Sequence, residues 1–151
     1  MNNRKRILLV DDNNNDVELI LTVLDDYHLA DEVVVVRDGK ETLDYLYCRG
    51  NFKTRSKGNP VVVLLDLKLP KVNGLEVLRQ IKSDDQLKII PVVIITSSCE
   101  ERDVGDSYKL GVNAYVVKSV NFQQFFEAVM GLGLFWAVIN EPPPGSVRKE
   151  K

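Results

Sequence analysis

Apolar positions along this chain fall into two alternating kinds of run. Short unbroken blocks at residues 6–10, 32–36, 61–66, 92–95 and 113–117 are rich in Val, Ile and Leu. Blocks of that length and composition suit strands covered on both faces. Between them apolar residues recur every three or four positions: Val17, Ile20, Leu21 and Leu24; then Leu43, Leu46 and Tyr47; then Val77, Leu78 and Ile81; finally Phe122, Phe125, Phe126 and Val129. That spacing predicts helices with one inward face. The stretch between the last two strands, residues 99–110, offers little beyond Val104, Tyr108 and Leu110, which predicts a helix weakly anchored to the core. Polar start signals sit where these helices should begin: Asn13 to Asn15, Asp38 with Glu41, Asn73 with Glu76, and Ser98 with Glu101; Gly111 marks a stop.

Strand and helix alternate five times, with no repeat and no internal linker. The expected fold class is α/β, a doubly wound (βα)5 three-layer sandwich of flavodoxin-like type, its parallel sheet ordered 2-1-3-4-5. Ligands of such sheets bind outside the carboxyl ends of the strands. The domain is expected over residues 1–140, followed by a stiff, mobile Pro-rich tail over 141–151 that starts at Pro142 to Pro144.

Composition narrows the class further. The chain has 151 residues, 44% hydrophobic and 28% charged, with a net charge of −2, which fits one ordinary domain and argues against a nucleic-acid partner. Cys48 and Cys99 are far apart, with no zinc spacing or disulfide framework, so a reduced cytoplasmic home is expected. Apolar runs fall short of the ~20 residues of a membrane span, the longest, Leu132 to Ile139, being interrupted by Gly133, so no membrane association is expected. The loop at residues 49–59 carries Arg49, Lys53, Arg55 and Lys57 with no acid in the same stretch and reads as a solvated insertion. His28 is the one histidine and reads as a surface residue.

Chemistry gathers at the strand ends. Asp11 and Asp12 close the first strand, Asp66 the third, Thr96 the fourth and Lys118 the fifth. In the order 2-1-3-4-5 the first and third strands are neighbours, so three carboxylates converge. Two unit charges ~4 Å apart repel by about 4 kcal/mol at an effective dielectric of 20. Such a cluster protonates, splays into water or holds a cation, and hard oxygen donors favour Mg2+ or Mn2+ over zinc. The acidic stretch after the first strand stands where a flavodoxin has its phosphate loop, which disfavours a flavin or nucleotide. With a divalent ion and an ammonium to cancel charge, Asp66 is a candidate nucleophile toward a phosphoryl group, with Thr96 and Lys118 to hold its oxygens. Each of these residues alone also has an ordinary reading as a turn acid, a cap or a strand-end charge.

Taken together, Asp11-Asp12, Leu65-Asp66 followed by Leu69-Pro70 and Asn73-Gly74, Thr96-Ser97, and Tyr115 three residues before Lys118 resemble the receiver domain of two-component response regulators, the family of the chemotaxis regulator CheY. The likeness runs over residues 5–130. It implies that Asp66 accepts a phosphoryl group from a histidine kinase. Asp12, Asp66 and the backbone carbonyl of Lys68 would bind Mg2+, with Asp11 reaching it through water. Thr96 and Lys118 would hold the phosphoryl group, and Tyr115 would change rotamer with Thr96 on activation. The segment from Leu65 to Lys71 and the tail from Gly133 to Pro144 further resemble single-domain regulators paired with bacterial phytochromes. One departure is Ser119, where the family usually has proline in a cis peptide; a non-proline cis bond costs ~2.5–4 kcal/mol.

By this reading the chain is no enzyme but a switchable protein-binding surface. An aspartyl-nucleophile phosphatase would need an acid two residues after Asp66, where Lys68 stands. The alternative is an interaction module of the same fold that works without phosphorylation. Expected partners are a sensor histidine kinase, of phytochrome type as the resemblance implies, and a second copy through the fourth helix, fifth strand and last helix. Leu132, Leu134, Phe135, Trp136, Val138 and Ile139 extend that surface, and large exposed apolar patches mark contacts.

Overall fold

The computed structural model describes residues 5–118 and 121–148. Its elements alternate as β1 (Ile7–Val10), α1 (Asn14–Asp25), β2 (Val33–Val36), α2 (Gly39–Leu46), β3 (Val62–Leu65), α3 (Gly74–Ser83), β4 (Val92–Thr96), α4 (Glu101–Lys109), β5 (Ala114–Val117) and α5 (Phe122–Leu134). All strand pairs are parallel and the order is β2-β1-β3-β4-β5, as the alternation predicts. The three central strands are buried throughout, while β2 and β5 are part-exposed edges.

The unbroken apolar strands are needed because successive side chains point to opposite faces and both faces are covered. Leu8, Val10, Val63, Leu65 and Ile94 meet Leu43, Leu46, Val77, Leu78 and Ile81 of α2 and α3. On the other face Ile7, Leu9, Leu64, Val93 and Ile95 meet Val17, Ile20 and Leu24 of α1 and Phe125 and Val129 of α5. Each such side chain contributes ~1.5–3 kcal/mol when fully buried. In α4 only Ser107 is buried, in line with its apolar-poor sequence.

Five expectations are corrected. Ser98 and Glu101 form no capping box: α4 starts at Glu101, and the Ser98 hydroxyl instead donates to the Asp103 carboxylate at 2.5 Å and accepts from the Glu100 amide at 3.3 Å. The short loop leaving β4 brings Ser98 over the first turn rather than in line with it. In α2 the Asp38 side chain does accept from the Glu41 amide, but the Glu41 carboxylate reaches back to the Arg37 amide. The basic loop is not merely solvated. Arg49 pairs with Asp44 of α2 at 2.8 Å, and Arg55 lies 4.1 Å from the centre of the Tyr45 ring and donates to the Tyr45 carbonyl.

The fourth and fifth corrections concern the C-terminal end. α5 runs on without a break into a π-helical turn, Phe135–Ile139. The resulting helix Phe122–Ile139 has 18 residues and a mean hydropathy of 1.4, which by length and composition meets the requirement for a membrane span. Gly133 does not interrupt it. A Cβ there would stand 2.5 Å from Leu24 Cδ2, so this glycine lets the helix approach α1. The segment after the helix is docked rather than free. The Asn59 amide donates to the Gly145 carbonyl and the Val147 amide to the Asn59 carbonyl, at 2.9 and 2.8 Å, a parallel bridge beside the start of β3. Arg6, buried beside Glu32, also donates to the Ala137 carbonyl and ties the π-helical turn to β1.

Candidate functional site

Strand pairing itself carries the site residues to one edge. The register Val10↔Leu65 sets Asp11 beside Asp66, and each is held one step past its strand by a ladder bond: Asp11 N–H to the Val36 carbonyl and Asp66 N–H to the Val10 carbonyl. Thr96 ends β4, and the Lys118 amide donates to the Thr96 carbonyl at 2.7 Å. Side chains at these ends therefore converge without any loop having to place them.

One ligand oxygen from each of Asp11, Asp12 and Asp66 lies within 4.8 Å of the others. Asp11 and Asp66 are buried and Asp12 is exposed. Hydrogen bonds aim the buried pair: Asp11 Oδ1 accepts from the Asn13 amide at 2.9 Å, and Asp66 Oδ1 from the Lys68 amide at 3.2 Å. Three crowded hard oxygen donors, one of them open to water, fit a divalent cation of the magnesium or manganese kind. The backbone also makes room for Asp66. A Cβ at Gly74 would lie 2.3 Å from the Asp66 carbonyl oxygen and 2.5 Å from Leu67 Cα, so only glycine lets α3 begin against that turn.

Lys118 crosses the edge to all of this. Its Nζ donates to Asp11 Oδ2 at 2.9 Å, Asp66 Oδ2 at 2.9 Å and Asp16 Oδ2 at 2.8 Å. Burial alone would lower its pKa, but the hydrogen bonds to these three carboxylates outweigh that and raise it above the ordinary 10.5, which favours the charged ammonium. Asp11 is shifted upward from its ordinary 3.8. Burial is the main cause, offset in part by the Asn13 amide and Lys118. Asp16 escapes a reading by strand ends, because it lies on the first turn of α1, where Asn13 Oδ1 caps its amide. Its five-residue distance from Asp11, on a helix that leaves β1 at once, is the signal that would have found it.

Thr96 is fully buried at the edge, and its Oγ1 accepts from the Ser98 amide at 3.4 Å. Tyr115, one strand over and half-buried, donates its hydroxyl to the Ser98 carbonyl at 2.9 Å. Thr96 and Tyr115 thus meet on one residue of the β4–α4 loop. Lys68 is exposed. The peptide joining Lys118 to Ser119, whose geometry the sequence left open, lies outside the described residues.

Residues 7–130 match the family described as response regulator receiver domain. The curated protein response regulator Rcp1 of Synechocystis sp. is 42% identical over 132 residues, 87% of this chain and 88% of that protein. The crystal structure of its Mn2+-bound form superposes with a TM-score of 0.85 at 40% identity, over 92% of this chain and 99% of that one. The phosphorylated cyanobacterial phytochrome response regulator RcpA gives a TM-score of 0.85 at 45% identity, covering 93% of this chain and 99% of that chain. The bacteriophytochrome response regulator RtBRR is 62% identical with a TM-score of 0.74, covering 95% and 86%.

Proposed function

This chain belongs to the family of response regulator receiver domains, phosphoryl-accepting modules of two-component signalling that work with a sensor histidine kinase and bind a divalent metal, and from that premise we propose that Asp66 is its phosphoryl acceptor. The observation that carries the assignment is the convergence of Asp11, Asp12 and Asp66 within 4.8 Å, with the Lys118 ammonium 2.9 Å from Asp66. Asp11, Asp12, Asp66 and the Lys68 carbonyl would hold Mg2+, whose charge offsets that of the carboxylates and of an incoming phosphoryl group. An Asp66 oxygen forms the new O–P bond as the N–P bond of a phosphohistidine breaks, and the electron pair stays on the imidazole nitrogen. Lys118 donates to one phosphoryl oxygen and the Thr96 hydroxyl to another. Drawing Thr96 toward the phosphoryl group loosens its hold on Ser98, where Tyr115 is also bonded, and this passes the change to α4. That helix buries only Ser107, so a small force moves it.

The phytochrome-type likeness of the solved relatives supports a photoreceptor kinase as the donor. A second copy of the chain supports itself on the outer side of α5. Phe122 and Ile139 are 59% and 63% exposed, Phe135 and Val138 of the same helix are exposed as well, and so are Tyr108 of α4 and Val117 of β5. The inner side, Phe125, Val129, Gly133 and Ala137, repeats every fourth residue and is buried on the domain, which favours a cytoplasmic dimer helix over a membrane span. Trp136 is half-buried against the core, so Phe135 and Ile139 are the cleaner positions to change. Sedimentation velocity of Phe135→Ala/Ile139→Ala should show a dimer falling to a monomer; an unchanged mass rejects this interface.

Acetyl phosphate with Mg2+ tests the acceptor. Intact mass should show one labile phosphoryl adduct, removed by hydroxylamine, that Asp66→Ala does not form. An adduct that persists in Asp66→Ala, or none in the unaltered chain, overturns the assignment.

A further inference from the structure

We propose that Asp16 is a positioning residue for phosphoryl transfer, holding Lys118 back and thereby slowing phosphoryl uptake; this rests on the reading of Asp66 as acceptor. The ammonium of Lys118 has three hydrogens, and the structure commits all of them: to Asp11, Asp66 and Asp16. None is left for a phosphoryl oxygen. A divalent ion seated on the Asp11, Asp12 and Asp66 oxygens competes with Lys118 for two of its partners. Asp16 stands outside that metal cluster, so it alone remains devoted to the ammonium. Its contact, at 2.8 Å, ties Nζ to the first turn of α1.

Charge points the same way. Asp11, Asp12, Asp16 and Asp66 face one lysine, so even with a divalent ion bound the edge keeps an excess negative charge. That excess opposes a dianionic phosphoryl group, and Asp16 is the one acid of the four whose removal touches neither the acceptor nor the metal ligands. A merely structural Asp16 would act otherwise. As an acid in the first turn of α1 it supports the helix, and its loss would leave phosphorylation unchanged or impair it.

The test compares Asp16→Ala and the more conservative Asp16→Asn with the unaltered chain. At saturating Mg2+, the second-order rate constant for phosphorylation by acetyl phosphate should rise roughly threefold or more in Asp16→Ala. Asp16→Asn, which loses the charge but keeps an acceptor oxygen, should rise by less. A readout independent of turnover is the 15N-resolved ammonium signal of Lys118 in metal-free protein. It should be protected from solvent exchange in the unaltered chain and exchange several-fold faster in Asp16→Ala. An equal or lower rate constant in both variants, or an unaltered Lys118 signal, overturns the inference while leaving Asp66 as acceptor untouched. If the unaltered chain takes up no phosphoryl group at all, it is the acceptor assignment that fails, and the inference with it.

Discussion

Lys118 Nζ, past the end of β5, donates a 2.9 Å hydrogen bond to Asp66 Oδ2, past the end of β3, across the intervening strand β4. The two residues are 52 positions apart in the chain. The pair is largely withdrawn from water, and the same ammonium also pairs with Asp11 and Asp16, so Lys118 is the keystone of the metal-free edge.

Replacing Lys118 by methionine should therefore destabilise the metal-free protein by about 3 kcal/mol, because two buried carboxylates lose their counter-charge. Urea unfolding in chelator at pH 7 measures this. Mg2+ should restore a larger share of stability to Lys118→Met than it adds to the unaltered chain. Equal Mg2+ increments in the two proteins would contradict the account.

The raised pKa of Asp11 fixes the sign of a pH effect. The folded carboxyl binds its proton more tightly than the unfolded one, whose ordinary value is 3.8. Its contribution to stability is thus fully present below 3.8 and is lost as pH rises through the higher folded value. Asp11→Asn removes that loss. In chelator, the variant should gain stability relative to the unaltered chain between pH 4 and pH 7, and Mg2+ should stabilise it much less. Parallel denaturation curves at several pH values decide the matter; a stability difference that does not vary with pH speaks against it.

Gly74→Ala drives a methyl group to 2.3 Å from the Asp66 carbonyl oxygen, a clash with backbone rather than with a yielding side chain. Overpacking of this sort costs ~1–3 kcal/mol. Because the turn that must shift carries Asp66, the phosphoryl adduct yield should fall along with stability. Thermal melting and intact mass, read on one sample, give both quantities, and a folded variant with full adduct yield would show that the turn has slack.

Ending the chain after Asn140 removes the two hydrogen bonds that tie residues 145–147 to Asn59. Each is worth ~0.5–1.5 kcal/mol net, so the truncated protein should be about 1–2 kcal/mol less stable. Hydrogen exchange should report faster exchange at the Asn59 amide, with the amides of β1 and β3 little changed. A protected Asn59 amide in the truncated protein would mean that the bridge does not hold the tail.

What was legible in the sequence was what short-range chemistry controls. A block such as Val-Val-Val-Leu-Leu before Asp66 suits a strand covered on both faces, and an acid ending such a block lies at its mouth. Five such blocks alternating with helical patterns pointed to the doubly wound class, and the strand order common to that class implied the meeting of Asp11, Asp12, Asp66, Thr96 and Lys118. Where contacts come from elsewhere in the chain, the sequence was silent. Only the packing of α1's first turn beside the end of β5 brings Asp16 to Lys118, the closeness of two helices turns Gly133 from a break into a contact, and an isolated bridge at Asn59 catches a tail that by composition should hang free. Ser98 turned to Asp103 because the loop's path, not its residue types, decides which partner is within reach. Periodicity encodes which face of an element is buried; it does not encode what that face will touch, because that depends on how elements far apart in sequence pack together.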